Sequence, residues 1–187
     1  MIRRLISLVV LLMLHATTSH AEAVTVVADL DLNRYTGKWF EIARFPNKFQ
    51  TQCVGDVSAT YVKRDDGDMD VINRCKNVTG LIEEAVGRAR VPSLETTAKL
   101  KVRFAPQWLS WLPMVWADYW VVELAPDYSI AVVGDPTRKY LWVLSRRSAI
   151  DEPVYQSLLK RLDVQGYDTN SLVLTPQGGS KQAPASR

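Results

Sequence analysis

Few side chains in this sequence could do covalent or acid–base chemistry. Its two histidines, His15 and His20, both precede Ala21, and its two cysteines, Cys53 and Cys75, lie well inside the chain. Ser–His–Asp and Cys–His catalysis and histidine metal ligation all require an imidazole. Here both imidazoles belong to an export leader. Arg3 and Arg4 precede the apolar run Leu5 to Leu14, and Ser19-His20-Ala21 is an acceptable cleavage site before Glu22. The run is too short to span a bilayer. Removing 21 residues from 187 leaves 166 and no histidine. With Arg3 and Arg4 gone, 21 basic residues face 20 acidic ones, a net charge of +1. No nucleic-acid surface is expected at that balance. No metal site and no cofactor is expected either. Two cysteines in an exported chain suggest a Cys53–Cys75 disulfide, which would leave neither sulfur as a nucleophile. The expected function is binding rather than catalysis.

The elements that must build such a binding site are strands. Asn33 and Gly37 suit turn conformations. From Trp39 the residues alternate, with Trp39, Glu41 and Ala43 on one face and Phe40, Ile42 and Arg44 on the other. Further strands are expected over residues 56–63, 69–76, 82–91, 119–124, 129–134 and 139–146. In Lys99–Phe104 a dry face of Leu100, Val102 and Phe104 alternates with a wet face of Lys99, Lys101 and Arg103. A tight hairpin at Asp65–Asp68 would set Cys75 opposite about Ser58, so the disulfide requires the preceding loop to fold back. A helix is expected after residue 150. Ser148 or Asp151 would cap it, Pro153 would sit in its first turn, Gly166 would end it, and Val154, Tyr155, Leu158, Leu159 and Leu162 form its apolar stripe. Ser171–Thr175 reads as a last strand beside the first.

Three motifs carry a family resemblance. Asn33-Arg34-Tyr35-Thr36-Gly37-Lys38-Trp39-Phe40-Glu41 resembles the N-terminal signature of lipocalins. The Glu41-Ile42-Ala43-Arg44 continuation is similar to the bacterial, outer-membrane branch, and the chain is also similar to apolipoprotein D. Pro126-Asp127-Tyr128 is similar to the family's Thr-Asp-Tyr motif, with Pro126 in place of Thr. Tyr140–Arg146 resembles the last barrel strand, which ends in an Arg. The resemblance implies an all-β fold: an eight-stranded antiparallel up-and-down barrel with one C-terminal helix packed outside and a short extra strand. It also implies that Trp39 crosses the closed end with the Arg146 guanidinium stacked on its ring. The chain divides into an expected signal peptide, 1–21, a barrel domain, 22–176, and a disordered tail, 177–187. No Leu-x-x-Cys lipobox ends the apolar run, in contrast to lipid-anchored members. The expected location is therefore the periplasm, with association with the outer membrane left open.

The resemblance and the alternation together place a lining on the barrel interior. Its apolar and aromatic members are Ala59, Tyr61, Ala85, Ala89, Leu100, Val102, Phe104, Tyr119, Val121, Tyr140 and Trp142, and Asn73 and Glu123 add polar groups. Such a mixture suits an acyl chain with a polar head. A fatty acid, a lysophospholipid or a similar amphiphile is the expected ligand, for lipid carriage or envelope maintenance. A tetrapyrrole or haem binder, an enzyme on the same fold and a protein-interaction module are the alternatives. The segment Ala105–Trp116 holds three of the six tryptophans and is longer and more apolar than the link expected there. Packing on the barrel rim and a lid over the cavity rank first for it, about equally, and the lid would put Trp108 and Trp111 beside the ligand. Transient membrane contact ranks after these.

Overall fold

The computed structural model describes residues 23–178 except Leu94. The expected signal peptide and residues 179–187 lie outside the described residues. The chain forms α1 (Leu32–Tyr35), then β1 (Gly37–Arg44), β2 (Cys53–Lys63), β3 (Met69–Asn77), β4 (Ile82–Arg90) and β5 (Lys99–Arg103). These are followed by β6 (Ala117–Leu124), β7 (Ile130–Gly134), β8 (Leu141–Ser145), α2 (Glu152–Val164) and β9 (Val173–Leu174). Each strand from β2 to β8 pairs antiparallel with the next, β8 pairs with β1, and β1 pairs with β2. The sheet therefore closes into an eight-stranded barrel, with β9 added beside β1.

Closure creates two cores. Inside the barrel, Trp39, Tyr35, Tyr61, Met69, Leu100, Val121 and Val133 pack at the closed end. Outside, Tyr155, Leu158 and Leu162 of α2 pack on Ile42, Ala43, Val122, Val132 and Val143. Asp151 occupies the N-cap position of α2 and Pro153 its first turn, and Gly166 follows it at φ +82°. Val154, expected in the stripe, is instead 45% exposed.

Two β-bulges correct the strict alternation read from sequence. The register of β1 against β8 shifts between Glu41 and Ala43. A bulge adds one residue and reverses which face follows it. Arg44, expected opposite to Glu41, therefore lies across from Trp142 on the interior side and bonds Glu41. Ala43 moves to the outer core. The same happens in β6, where the register shifts between Val121 and Glu123. Glu123, expected in the lining, faces α2 and accepts hydrogen bonds from Arg161 (3.1 Å) and Gln165 (2.7 Å).

The disulfide forms, with Cys53 and Cys75 Cα atoms 5.5 Å apart. Ser58 lies opposite Arg74, so an unbroken ladder would keep Cys53 away from Cys75. The approach comes from two irregularities inside β2, between Cys53 and Gly55 and between Gly55 and Ser58, with Asp56 at φ 51°. It is a distorted strand, not a folded-back loop, that brings the sulfurs together. Intact-mass analysis of oxidised protein should show no alkylatable thiol. Reduction should cost about 3 kcal/mol for a loop of this size, read as a lower melting temperature.

The C-terminal segment closes the upper seam between β1 and β2. The Thr175 N–H bonds the Ile42 carbonyl (2.8 Å), and the Asp56 N–H bonds the Pro176 carbonyl (2.8 Å). The buried Gln177 amide donates to the Glu41 carbonyl (2.7 Å) and the Val57 carbonyl (2.9 Å). Gln177, expected in a disordered tail, is therefore part of the wall.

Candidate functional site: the barrel interior

The floor is built from the N-terminal motif. Trp39 is fully buried, and its indole N–H bonds the Tyr35 carbonyl (2.9 Å). The Arg146 guanidinium lies 3.8 Å from the Trp39 ring centroid and donates to the carbonyls of Arg34 (2.7 Å) and Lys38 (3.0 Å). Gly37 sits at φ +91°, and a Cβ there would stand 3.2 Å from Arg146 Nη1. The glycine thus serves both the turn and the cation's seat. Asn33 lies in the short helix α1 rather than in a turn, and its side chain accepts from Lys63 Nζ (2.8 Å). A second cation–π pair was not anticipated: Arg34 stacks 3.9 Å from the Tyr128 ring. The Tyr128 hydroxyl accepts from the Asp31 N–H (2.9 Å). Asp127 accepts from the Ser129 hydroxyl and N–H, which hold its carboxyl below the ordinary range. The motif residues therefore clamp the closed end.

Above the plug, three tyrosines meet. The Tyr119 hydroxyl lies 2.7 Å from that of Tyr35 and 2.6 Å from that of Tyr61. Burial pushes Tyr61 up to about 12 and raises Tyr35 and Tyr119 well above the ordinary phenol value. A raised pKa favours the neutral phenol in the fold, so this stabilisation is complete below pH ~10 and lost as pH rises toward 12. These tyrosines should contribute no phenolate absorbance in an alkaline titration until the protein unfolds. Early ionisation of all seven tyrosines would contradict the cluster.

The wall above this floor is small and wet. The pairings Trp39–Ala59, Ala59–Asn73 and Asn73–Ala85 put these residues on one face, the face of buried Trp39. Ala85 is nevertheless exposed, and Ala59 and Asn73 are half-buried. Side chains turned to the barrel axis yet reached by water place this face toward the open end of the barrel. Among the described residues the Asn73 amide has no hydrogen-bond partner, so it is available to a ligand. A Cβ on Gly87 would lie 2.7 Å from the Phe104 ring, so this glycine lets Phe104 lie flat on the wall. Val102 pairs with Ala117, an exposed residue that the sequence reading did not include.

The expected lining thus divides. Ala59, Asn73, Ala85, Val102, Tyr119 and Trp142 stay accessible, whereas Tyr61, Ala89, Leu100 and Val121 are buried in the floor. Tyr140 stacks on Trp142 at the mouth (5.9 Å, 11°) and meets Phe49 (5.6 Å). A polar group inside the upper wall was also missed. Arg44 Nη1 donates to Glu41 (2.7 Å) and Thr175 (3.1 Å), Gln50 donates to Glu41 (2.7 Å), and the Trp142 indole donates to Gln50 (2.8 Å).

The segment after β5 departs from its expected role. Trp116 packs on the outer wall between Arg90 (3.9 Å) and Arg103 (5.2 Å). Arg103, expected on the wet face, is buried there. Trp108 and Trp111 are 73% and 75% exposed, so neither is buried in the barrel mouth or packed on the rim. Among the described residues no three histidine, cysteine or acidic side chains gather to hold a metal.

The sequence matches the Lipocalin-like domain over residues 30–177. It is 42% identical over 155 residues to temperature-induced lipocalin-1 of Arabidopsis thaliana, covering 81% of this chain and 82% of that one. It is 37% identical over 158 residues to outer membrane lipoprotein Blc of Escherichia coli K12, covering 84% and 85%. Apolipoprotein D of Mus musculus is 27% identical over 161 residues, covering 81% and 79%. The fold superposes on insecticyanin of Manduca sexta with TM-score 0.65 at 21% identity, covering 86% of this chain and 87% of that one. The barrel closure, the Trp39–Arg146 plug and these matches agree: the chain belongs to the lipocalin family.

Proposed function

We propose that this lipocalin binds a single-tailed amphiphile, a fatty acid or lysophospholipid, inside the barrel, and that it serves lipid carriage or envelope maintenance in the periplasm. The observation that carries this reading is the accessible interior face of Ala59, Asn73 and Ala85. Methyl-sized side chains leave width for an acyl chain, and the Asn73 amide supplies one orienting group. Similarity to outer membrane lipoproteins supports an envelope setting. Transient contact with a membrane through residues 105–116 is a separate part of this proposal and does not depend on the lumen.

Titration with a fluorescent fatty acid tests the ligand. Saturable binding is expected, displaced by unlabelled fatty acid or lysophospholipid. Ala85→Trp should fill the lumen and weaken binding by at least ~10-fold, the equivalent of about 1.4 kcal/mol. Its melting temperature should stay near that of the wild type. Unchanged affinity in Ala85→Trp would move the ligand out of the barrel.

A further inference from the structure

We propose that the open end of the barrel docks mouth-first on an anionic phospholipid bilayer, so that a ligand exchanges between bilayer and lumen without crossing water. The exchange step rests on the lumen reading above; the docking step does not.

The strands alternate in direction from β1 to β8, so residues 45–52, 78–81, 104–116 and 135–140 all lie at the end opposite the Trp39–Arg146 plug. Three of these four connections expose large apolar side chains: Phe49 on the first, Val78 (81%) and Leu81 on the second, Trp108, Trp111 and Met114 (85%) on the third. The closed end differs. Its β2–β3 turn carries Asp66 and Asp68, both paired with Arg88.

The Trp-bearing connection is a built post. It consists of two consecutive 3-10 turns, Gln107–Leu109 and Pro113–Val115. The N–H groups of Leu109, Ser110, Leu112, Val115 and Trp116 all bond carbonyls within the segment. The Trp116 indole donates to the Ser110 carbonyl (2.8 Å), and the Arg90–Trp116–Arg103 stack fixes the base. Those five internal bonds lower the cost of bringing the segment to an interface, where water still reaches the N–H groups of Trp108, Trp111 and Met114. Indoles favour that interface.

Charge selects the occupant. Lys48, Lys76 and Lys139 surround the mouth, and among the described residues none has an ion-pair partner. Of the acids at this end, Glu84 is ion-paired with Arg74 (2.7 Å), whereas Glu83 accepts from Asn77 (2.9 Å) and the buried Asp135 from the N–H groups of Thr137 and Tyr140, which turns both carboxylates onto their own loops without cancelling their charge. Ammonium groups without a carboxylate partner, that of Lys48 lying over the Phe49 ring (5.5 Å), complement anionic headgroups above an apolar layer. The apolar side chains stand on separate loops around one opening, so a sheet of lipid meets them together.

Co-flotation of the mature chain with phosphatidylglycerol-containing and pure phosphatidylcholine vesicles tests the docking. Wild type should float preferentially with the anionic vesicles. Trp108→Ser/Trp111→Ser should reduce the bound fraction at least ~10-fold while leaving fluorescent fatty-acid binding in solution unchanged. Lys48→Gln/Lys76→Gln/Lys139→Gln should erase the preference for anionic vesicles. Ala85→Trp should float like wild type, which separates docking from lumen occupancy. Transfer of the fluorescent fatty acid from protein to vesicles should accelerate with vesicle concentration, and the tryptophan double variant should lose that dependence. Wild type that does not float, or a tryptophan variant that floats equally well, overturns the docking surface. Concentration-dependent self-association of a non-floating wild type assigns the surface to a second copy instead. Transfer independent of vesicle concentration overturns the mouth-first orientation.

Discussion

Replacing Trp39 by Ala is expected to destabilise the fold by about 3–5 kcal/mol, the range for truncating a large buried aromatic. In a domain of this size that corresponds to a fall in melting temperature on the order of 10 °C. The loss has several sources. The indole is fully buried, touches the Tyr35 ring at 5.0 Å, donates to the Tyr35 carbonyl and carries the Arg146 guanidinium on its face. Without it, Arg146 keeps its carbonyl partners but loses its apolar cover. Arg146→Ala should destabilise in the same direction. Selectivity among ligands should stay the same in any folded fraction of either variant, because the tyrosine layer stands between the plug and the lumen. A wild-type melting curve for both variants would remove the plug from the account of stability.

Arg44→Met is expected to have a comparable effect for an electrostatic reason. Glu41 is 3% exposed, and its carboxylate is satisfied by Arg44, Gln50 and Thr175. Removing the cation leaves a buried carboxylate without its counter-charge, which costs about 3–5 kcal/mol. Replacing both partners, Glu41→Gln with Arg44→Met, removes the stranded charge and should recover most of that loss. Chemical denaturation of the two single variants and the double variant measures the coupling. Additive losses would show that the two side chains act independently.

The parts legible in the sequence were those set by local chemistry. Gly37 before Trp39 marked a turn, and the turn places the indole. The Tyr140–Arg146 alternation placed Trp142 and Leu144 on the interior face with Arg146. The Ala85, Gly87, Ala89 face announced a wall without bulk. What sequence could not show was any break in alternation. A bulge leaves no residue-type signature in β1 or β6, yet it reversed Arg44 and removed Glu123 from the lumen. Trp108 and Trp111 were misplaced for another reason: apolar composition argues for burial by default, and only the internally bonded turns show how a segment can hold such rings in water. Gln177 was hidden because a polar tail without apolar anchors reads as unstructured, while its role is to pair two backbone carbonyls.

That last residue bears on when the molecule can finish folding. Gln177 bonds the carbonyl of Glu41 across 136 positions of chain, and Thr175 reaches the Glu41 side chain across 134. Contacts so distant in sequence form late, because the intervening chain must be ordered first. Whether the polypeptide emerges from a ribosome or from a secretion channel, strands β1 to β8 are out long before the piece that seals them. The unsealed edges of β1 and β2 are exposed for that interval and offer unpaired backbone to any neighbour. A C-terminal fusion that replaces the chain from Thr175 onward would make that interval permanent, so such fusions should aggregate where fusions after Gly178 do not.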